Sequence, residues 1–407
     1  MNLLPKASGT RPRVACEIST QGVVAARSES IGTPLAAVSR VELAEGAVSP
    51  SLKPGNIADR VAVAAAVRRT LEAVGARPNT RDSDITLVIP DAAVRVSLLD
   101  FDSLPTRLTE ALPIIRFRLK KLLPFDADDA MVTFQVMSTS KTVVRVLSVA
   151  IPRDVLREYE TAVREAGFEP GAVIPSTVAS LAAMEEDPAL LINANPQGVT
   201  AAIVRGGILL LHRTVDLQPT ATGIPANLPP ALFDTPNDAL ASMTLPLVDV
   251  HDTAGEWAAQ EALPEHGRNP YADRADDETA VQGADSITAL PVPSVSASDV
   301  SPNGIKPREE PYFSNQQIPA LGEEIAQAVS VAVAYFEDTL AVAPERILSA
   351  GPLGSTELNR ILTEHGLAQA DGLRVRELVG SEALLSEAVT ASVPRGWLSG
   401  VLGALRG

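Results

Sequence analysis

The sequence predicts an α/β protein made of two similarly built halves, and three observations predict it. Apolar runs of strand length alternate with segments of helical periodicity along most of the chain. A three-strand opening, Val14 to Ile18, Gly22 to Ala26 and Ala36 to Leu43, is repeated at Ala189 to Asn193, Val199 to Val204 and Gly207 to Leu211, as an internal duplication requires. Between Leu217 and Gln316 the pattern stops. That stretch holds 15 Asp/Glu against 4 Lys/Arg and 13 of the 32 prolines. It has too little patterned apolar surface to offset its backbone entropy, so 217–316 is expected to be a mostly disordered acidic insertion. It carries −11 of the formal net charge of −16, which leaves the rest of the chain only mildly acidic.

Taken in order, Pro54-Gly55-Asn56 stops the chain after the first three strands, with Asn56 as a candidate N-cap. Val63, Val67, Leu71 and Val74 then share a helix face that ends at Gly75. Ile85 to Ile89, closed by Pro90, has the character of a buried parallel strand. This β-β-β-α-β order is that of one half of an actin-like nucleotide-binding fold. Val94 to Leu99 alternates, Leu108 to Lys121 has the pattern of a basic amphipathic helix with a kink or restart at Pro113, and Met131 to Met137 with Thr142 to Ile151 form a hairpin. Val155, Tyr159, Val163 and Ala166 mark a further helix ending at Gly167. After the insertion, Ile325, Val329, Val333, Phe336 and Leu340 recur at helical spacing, and Arg346 to Ala350 is a strand leading into Gly351-Pro352-Leu353-Gly354.

Composition excludes several functions. The acidic balance argues against phosphate-driven nucleic-acid binding. The single cysteine, Cys16, excludes a disulfide scaffold or a cysteine zinc site and is most simply a core residue. The four histidines are scattered. No run reaches the ~18 apolar residues of a membrane span, and Met1 to Arg13 has no signal-peptide core, so a cytoplasmic protein is expected. Arg116, Arg118, Lys120 and Lys121 suit either a solvated helix face or anionic lipid headgroups, and the spread of Arg118 around the helix favours the former. His212 has no acid/base partner evident in the sequence, and Trp397 is expected to anchor the last helix by packing.

The stretch Ile115-Arg116-Phe117-Arg118-Leu119-Lys120-Lys121-Leu122-Leu123-Pro124-Phe125 resembles a helix and its "(I/L)PF" ending in the PilM family, actin-like components of type IV pilus assembly platforms that are related to FtsA. Val149 to Arg153, Ala166 to Pro170, Ser176 to Leu181 and the terminal Gly403-Ala404-Leu405-Arg406 add to the likeness, which spans 12–216 and 318–407. It implies a bilobed actin-like fold with a duplicated β-meander. A flexible tail is expected over 1–12, a first lobe over 13–93 and 168–188, an inserted SHS2-like α+β subdomain over 94–167, and a second lobe over 189–216 and 317–407.

The resemblance also implies a nucleotide site. Such loops need a carboxylate to organise Mg²⁺ and glycines to let backbone N–H groups reach phosphate. The first D-x-G loop corresponds to Glu17-Ile18-Ser19-Thr20-Gln21, where Glu replaces Asp and Ser19 replaces Gly. The second corresponds to Asn193-Ala194-Asn195, which has no charge. Of the adenosine loop's glycine run only Gly351 remains. Three departures together point to lost hydrolysis, a pseudo-ATPase. No cofactor follows with certainty, and ATP with Mg²⁺ is the less favoured alternative.

Family members capture the cytoplasmic tail of an inner-membrane protein, PilN, through a motif similar to "INLLP". The chain is therefore expected to be a non-catalytic adaptor, peripheral to the inner membrane, in a pilus or type II secretion platform. The alternatives are a nucleotide-responsive ATPase of the same machine and an FtsA-like polymerising protein. The chain itself begins Met1-Asn2-Leu3-Leu4-Pro5. These letters are either a coincidence in an unstructured start, the simpler case, or a partner mimic in which Asn2, Leu3, Leu4 and Pro5 mediate self-association.

Overall fold

Strands β1 (Val14–Ile18), β2 (Gly22–Ser28) and β3 (Leu35–Glu42) form an antiparallel meander. Helix α1 (Arg60–Ala73) then crosses over, so that β4 (Asp84–Ile89) returns parallel to β1. With β8 (Glu169–Pro175) beside β4, the first sheet has the order β3-β2-β1-β4-β8. The second half repeats this: β9 (Ala189–Asn195), β10 (Gly198–Arg205) and β11 (Ile208–Asp216) form the meander, and β12 (Arg346–Ala350) and β13 (Arg374–Glu377) follow in parallel, giving β11-β10-β9-β12-β13. The computed structural model describes residues 12–30, 32–80, 83–217, 317–367, 373–385 and 393–406. All of these belong to one unit, while a second, Thr222–Gly304, lies outside them, as do nearly all of the acidic insertion and the tail segment Asn2 to Pro5.

Alternation along the strands sorts the core into layers. Cys16, Ile18, Val23, Ala25, Ile85 and Leu87 face α1 and α3 (Arg153–Glu165) on one side. Leu190, Ile192, Val199 and Ile203 face α5 (Gln317–Leu340) and α6 (Gly354–Glu364) on the far side. Between the two sheets lie α4 (Ser176–Leu181) and α7 (Ser399–Arg406), packed among Ala15, Val24 and Val88 from one sheet and Leu191, Ala202 and Leu348 from the other. The last helix, expected in the second lobe, thus packs on β1, β2 and β4 of the first, because its small and apolar residues are needed to fill the space between the sheets.

β5 (Arg95–Phe101), β6 (Ala130–Thr139) and β7 (Val144–Pro152) form a third sheet of order β5-β7-β6, covered on one face by α2 (Leu108–Leu119). Its other face sends Leu147 into the core between the sheets, and β11 contacts both β5 and β6. α3, expected to complete this subdomain, instead packs its Val155, Tyr159 and Val163 in the first lobe. Its Glu158 carboxylate accepts hydrogen bonds from the Gly55, Asn56 and Ile57 backbone N–H groups at 2.6, 2.6 and 3.2 Å. Two local expectations change for clear reasons. Asn56 does not cap α1: its amide bonds within the loop, to Ser51 N and Lys53 O, and Asp59 accepts from Ala62 N instead. α2 runs unbroken through Pro113, because so near its start the missing N–H leaves free only the first-turn carbonyl of exposed Thr109, which water can satisfy.

The layering depends on how closely α7 approaches α4. A Cβ on Gly403 would overlap the carbonyl oxygen of Ala179, and one on Gly400 would overlap the Glu17 carboxylate. Gly403→Ala is expected to cost roughly 2–3 kcal/mol of unfolding free energy through overpacking against backbone that cannot yield. Urea denaturation followed by circular dichroism measures it, and a midpoint equal to wild type would contradict this packing.

Candidate functional site

Polar residues gather at the carboxyl ends of the parallel strands, where open α/β sheets place their ligand crevices. Glu17 lies at the end of β1, Asp91 just beyond β4, Ser176 and Thr177 just beyond β8, Asn193 to Asn195 at the end of β9 and Gly351 just beyond β12. Glu17, Asp91, Ser176, Asn193, Asn195 and Gly351, together with Ser19, Thr20, Gln21, Thr200, Thr214, Trp397 and Ser399, line a cleft between the lobes with a cavity volume of about 50 Å³. All seven residues assigned to the three loops from sequence, Glu17, Ser19, Thr20, Gln21, Asn193, Asn195 and Gly351, line this one cleft.

At its base the two lobes are joined by hydrogen bonds. The Asn193 Nδ2 group donates to Thr177 Oγ1 at 2.9 Å and to Ser176 Oγ at 3.2 Å. Ser176 Oγ donates in turn to Glu17 Oε1 at 2.7 Å. Thr177 donates to Asp91 twice, from its backbone N–H at 3.0 Å and from its hydroxyl at 2.5 Å. The amide of β9 therefore connects, through the first residues of α4, to carboxylates carried by β1 and by the segment after β4. Asn193, Thr177 and Asp91 are buried, so each of these bonds stands in for lost hydration.

The other loop residues are committed locally. Ser19 Oγ donates to Gly22 O at 2.8 Å, closing its own turn. Asn195 Oδ1 accepts from Gln197 N and Gly198 N at 2.9 and 3.0 Å, forming the β9–β10 turn. Gly351 has φ +83°, and a Cβ there would overlap Asn193 Oδ1 and Ala194 O. Its N–H donates to Gly396 O at 3.0 Å, and Leu353 N donates to Ala194 O. The second and third loops thus touch each other directly.

Sequence reasoning missed Asp91, Ser176 and Thr177 as site residues. Their signal was present: Pro90-Asp91 and Pro175-Ser176-Thr177 each follow an apolar strand that ends in proline. His212, without an evident partner in sequence, lies where Asp91 acts on it electrostatically. Burial pulls its pKa below the usual value against that influence, and its Nε2 is buried with no hydrogen-bond partner among the described residues. Cys16 and Trp397 are core residues as expected, and the Arg40 guanidinium stacks 4.1 Å from the Trp397 ring centroid.

Burial pushes the Glu17 carboxyl up to about 7, with Ser176 opposing and Asp91 adding to the rise. Because the folded pKa exceeds the unfolded one, Glu17 contributes its full stability below ~4.5 and loses it as pH rises through about 7. His212, whose pKa is lowered, has the opposite slope, so the useful quantity is a difference. The stability of Glu17→Gln minus that of wild type should increase by about 1–3 kcal/mol between pH 5 and 8, the range allowing for partial exposure. Thermal or urea melts across that window measure it, and a pH-independent difference would contradict the buried environment of Glu17.

No protein-family model and no curated protein matches the chain. Among solved structures, a chain of a PilM–PilN type IV pilus biogenesis complex aligns with a TM-score of 0.58 at 15% identity, covering 97% of this chain and 98% of that one. The ethanolamine utilization protein EutJ from Carboxydothermus hydrogenoformans aligns over 100% of this chain and 92% of its own at 10% identity, TM-score 0.41. The cytoplasmic domain of EpsL, an inner-membrane component of the Vibrio cholerae type II secretion system, aligns over 50% and 70% at 13% identity, TM-score 0.34. With its duplicated meander-and-crossover sheets and paired central helices, the chain has the actin-like fold in the form seen in that PilM–PilN structure.

Proposed function

We propose that the chain is a non-catalytic adaptor of a pilus or secretion machine, working through protein contacts rather than nucleotide turnover. The observation that carries this is the lining of the cleft. It contains no Lys or Arg, so the lining itself supplies no cation to a polyphosphate, whose charge needs cations or free backbone donors. Two of the donors that could serve are engaged: the Asn193 amide on Ser176 and Thr177, and the Gly351 N–H on Gly396. The cavity of about 50 Å³ accommodates a few waters, whereas small-molecule sites run to several hundred cubic ångströms. Mg²⁺–ATP does not fit these residues as they stand, and no step through it is derived.

The fold shared with a chain of a PilM–PilN type IV pilus biogenesis complex supports the partner class. In this proposal the partner is the short cytoplasmic tail of a PilN-like membrane protein and the working location is the inner face of a bacterial membrane. No helix among the described residues is long and apolar enough to cross a membrane.

Two measurements test the proposal. Titration calorimetry with Mg²⁺–ATP should give no heat at ligand concentrations up to about 1 mM, against the micromolar-to-millimolar affinities usual for working sites. A fluorescent peptide bearing the "INLLP" type of motif should bind with micromolar Kd, unchanged by Mg²⁺–ATP. Saturable Mg²⁺-dependent ATP binding or turnover would remove the non-catalytic assignment, and absence of peptide binding would remove the PilN-like partner.

A further inference from the structure

Four of the exposed large apolar side chains among the described residues lie on α2 and just beyond it. Phe117 is 67% and Ile114 40% exposed, and Leu108 and Leu122 at the two ends are 64% and 51% exposed. The opposite face of α2, Ala111, Ile115 and Leu119, is buried against the three-stranded sheet. Helical spacing therefore puts Pro113, Ile114 and Phe117 along an outward crest, and Phe117 borders an open groove lined by Thr109, Leu112, Pro113, Arg116, Lys120 and Asp128.

Positive charge is concentrated on the same segment. Residues 107–121 carry five Lys/Arg and one Glu, in a chain whose net charge is −16. Three of these cations are committed: Arg107 pairs with Glu110 at 3.3 Å, Lys120 with Asp128 at 2.6 Å, and Arg116 donates to the carbonyls of Ala127 and Ala130. Arg118 and Lys121 have no ion pair among the described residues, and Lys121 Nζ lies 5.8 Å from the Phe117 ring centroid. An aromatic and aliphatic crest with uncommitted cations beside it is the chemistry of a helix lying in a headgroup layer. The sequence favoured a merely solvated face for these cations. Folding separates them into anchoring and free groups, and leaves the free ones next to the exposed ring.

We propose that the outward face of α2 is a membrane-docking surface, with Phe117 and Ile114 entering the interfacial layer of an anionic bilayer and Arg118 and Lys121 meeting its phosphates. This is independent of the adaptor assignment, since neither the cleft nor a partner tail takes part. The rest of the chain is acidic, so docking is local in character and falls with ionic strength as the charges are screened over about 8 Å at physiological salt.

Co-sedimentation of the full chain with vesicles tests it. The chain should pellet with vesicles of phosphatidylglycerol and phosphatidylcholine and not with phosphatidylcholine alone, and binding should fall as salt is raised. Phe117→Ser, and Arg118→Glu combined with Lys121→Glu, should each lower the apparent partition coefficient by roughly tenfold with melting curves unchanged, because these side chains are exposed. Equal binding to both vesicle types, no binding to either, or full binding by the variants would overturn it. Vesicle binding that appears only after deletion of residues 218–316 would assign the face to that acidic segment and overturn the lipid assignment as well.

Discussion

The fit of α7 against α4 and β1 sets the spacing on which the rest of the structure depends. Two helices occupy the layer between two five-stranded sheets, and their separation is set by backbone-to-backbone contact at Gly403 and Ala179. Dispersion and apolar burial hold such a layer only while the surfaces touch. Gly400 does the same for chemistry, since it leaves the space beside α7 that the Glu17 carboxylate takes up. The carboxyl ends of β1 and β9 are thereby held close enough for one serine and one asparagine to span them.

Once the strand ends are that close, the cleft is shaped by the need to satisfy buried polar groups. Asn193 donates across the lobe boundary, Ser176 passes the contact to Glu17, and Thr177 holds Asp91. A carboxylate at position 193 would face Asp91 and the Ser176–Glu17 pair with no cation in the lining, whereas a neutral amide supplies the donors they need. The departure from the D-x-G pattern is thus a functioning part of a closed network. It forms a polar joint between the lobes.

The inserted three-stranded sheet adds a second brace. Leu147 enters the core between the sheets and β11 contacts both β5 and β6, while within the sheet Arg145 on β7 forms a two-pronged pair with Asp100 on β5 at 2.8 Å on each arm. The sheet is therefore joined to the second lobe as well as to the first, and the surface it still offers outward is α2.

The sequence by itself determined the elements and their repetition. Period-two and period-3.6 patterns placed β1 to β7 and β9 to β12, α1 to α3 and α5, because alternate burial on a sheet and helical spacing are local consequences of the backbone. It also marked Glu17, Asn193 and Gly351, since a loop after an apolar strand is legible in one dimension. Only the tertiary structure decided what these residues do. Asp91, Ser176 and Thr177 become site residues because three strands end side by side. Asn56 loses its expected capping role to Asp59 because its amide is drawn into the 51–56 loop. α3 and α7 pack in or against the first lobe although their order in the chain suggests otherwise. The physical reason is the same in each case: local pattern fixes which face of an element is apolar, while its partner across that face is set by close packing of segments far apart in the chain.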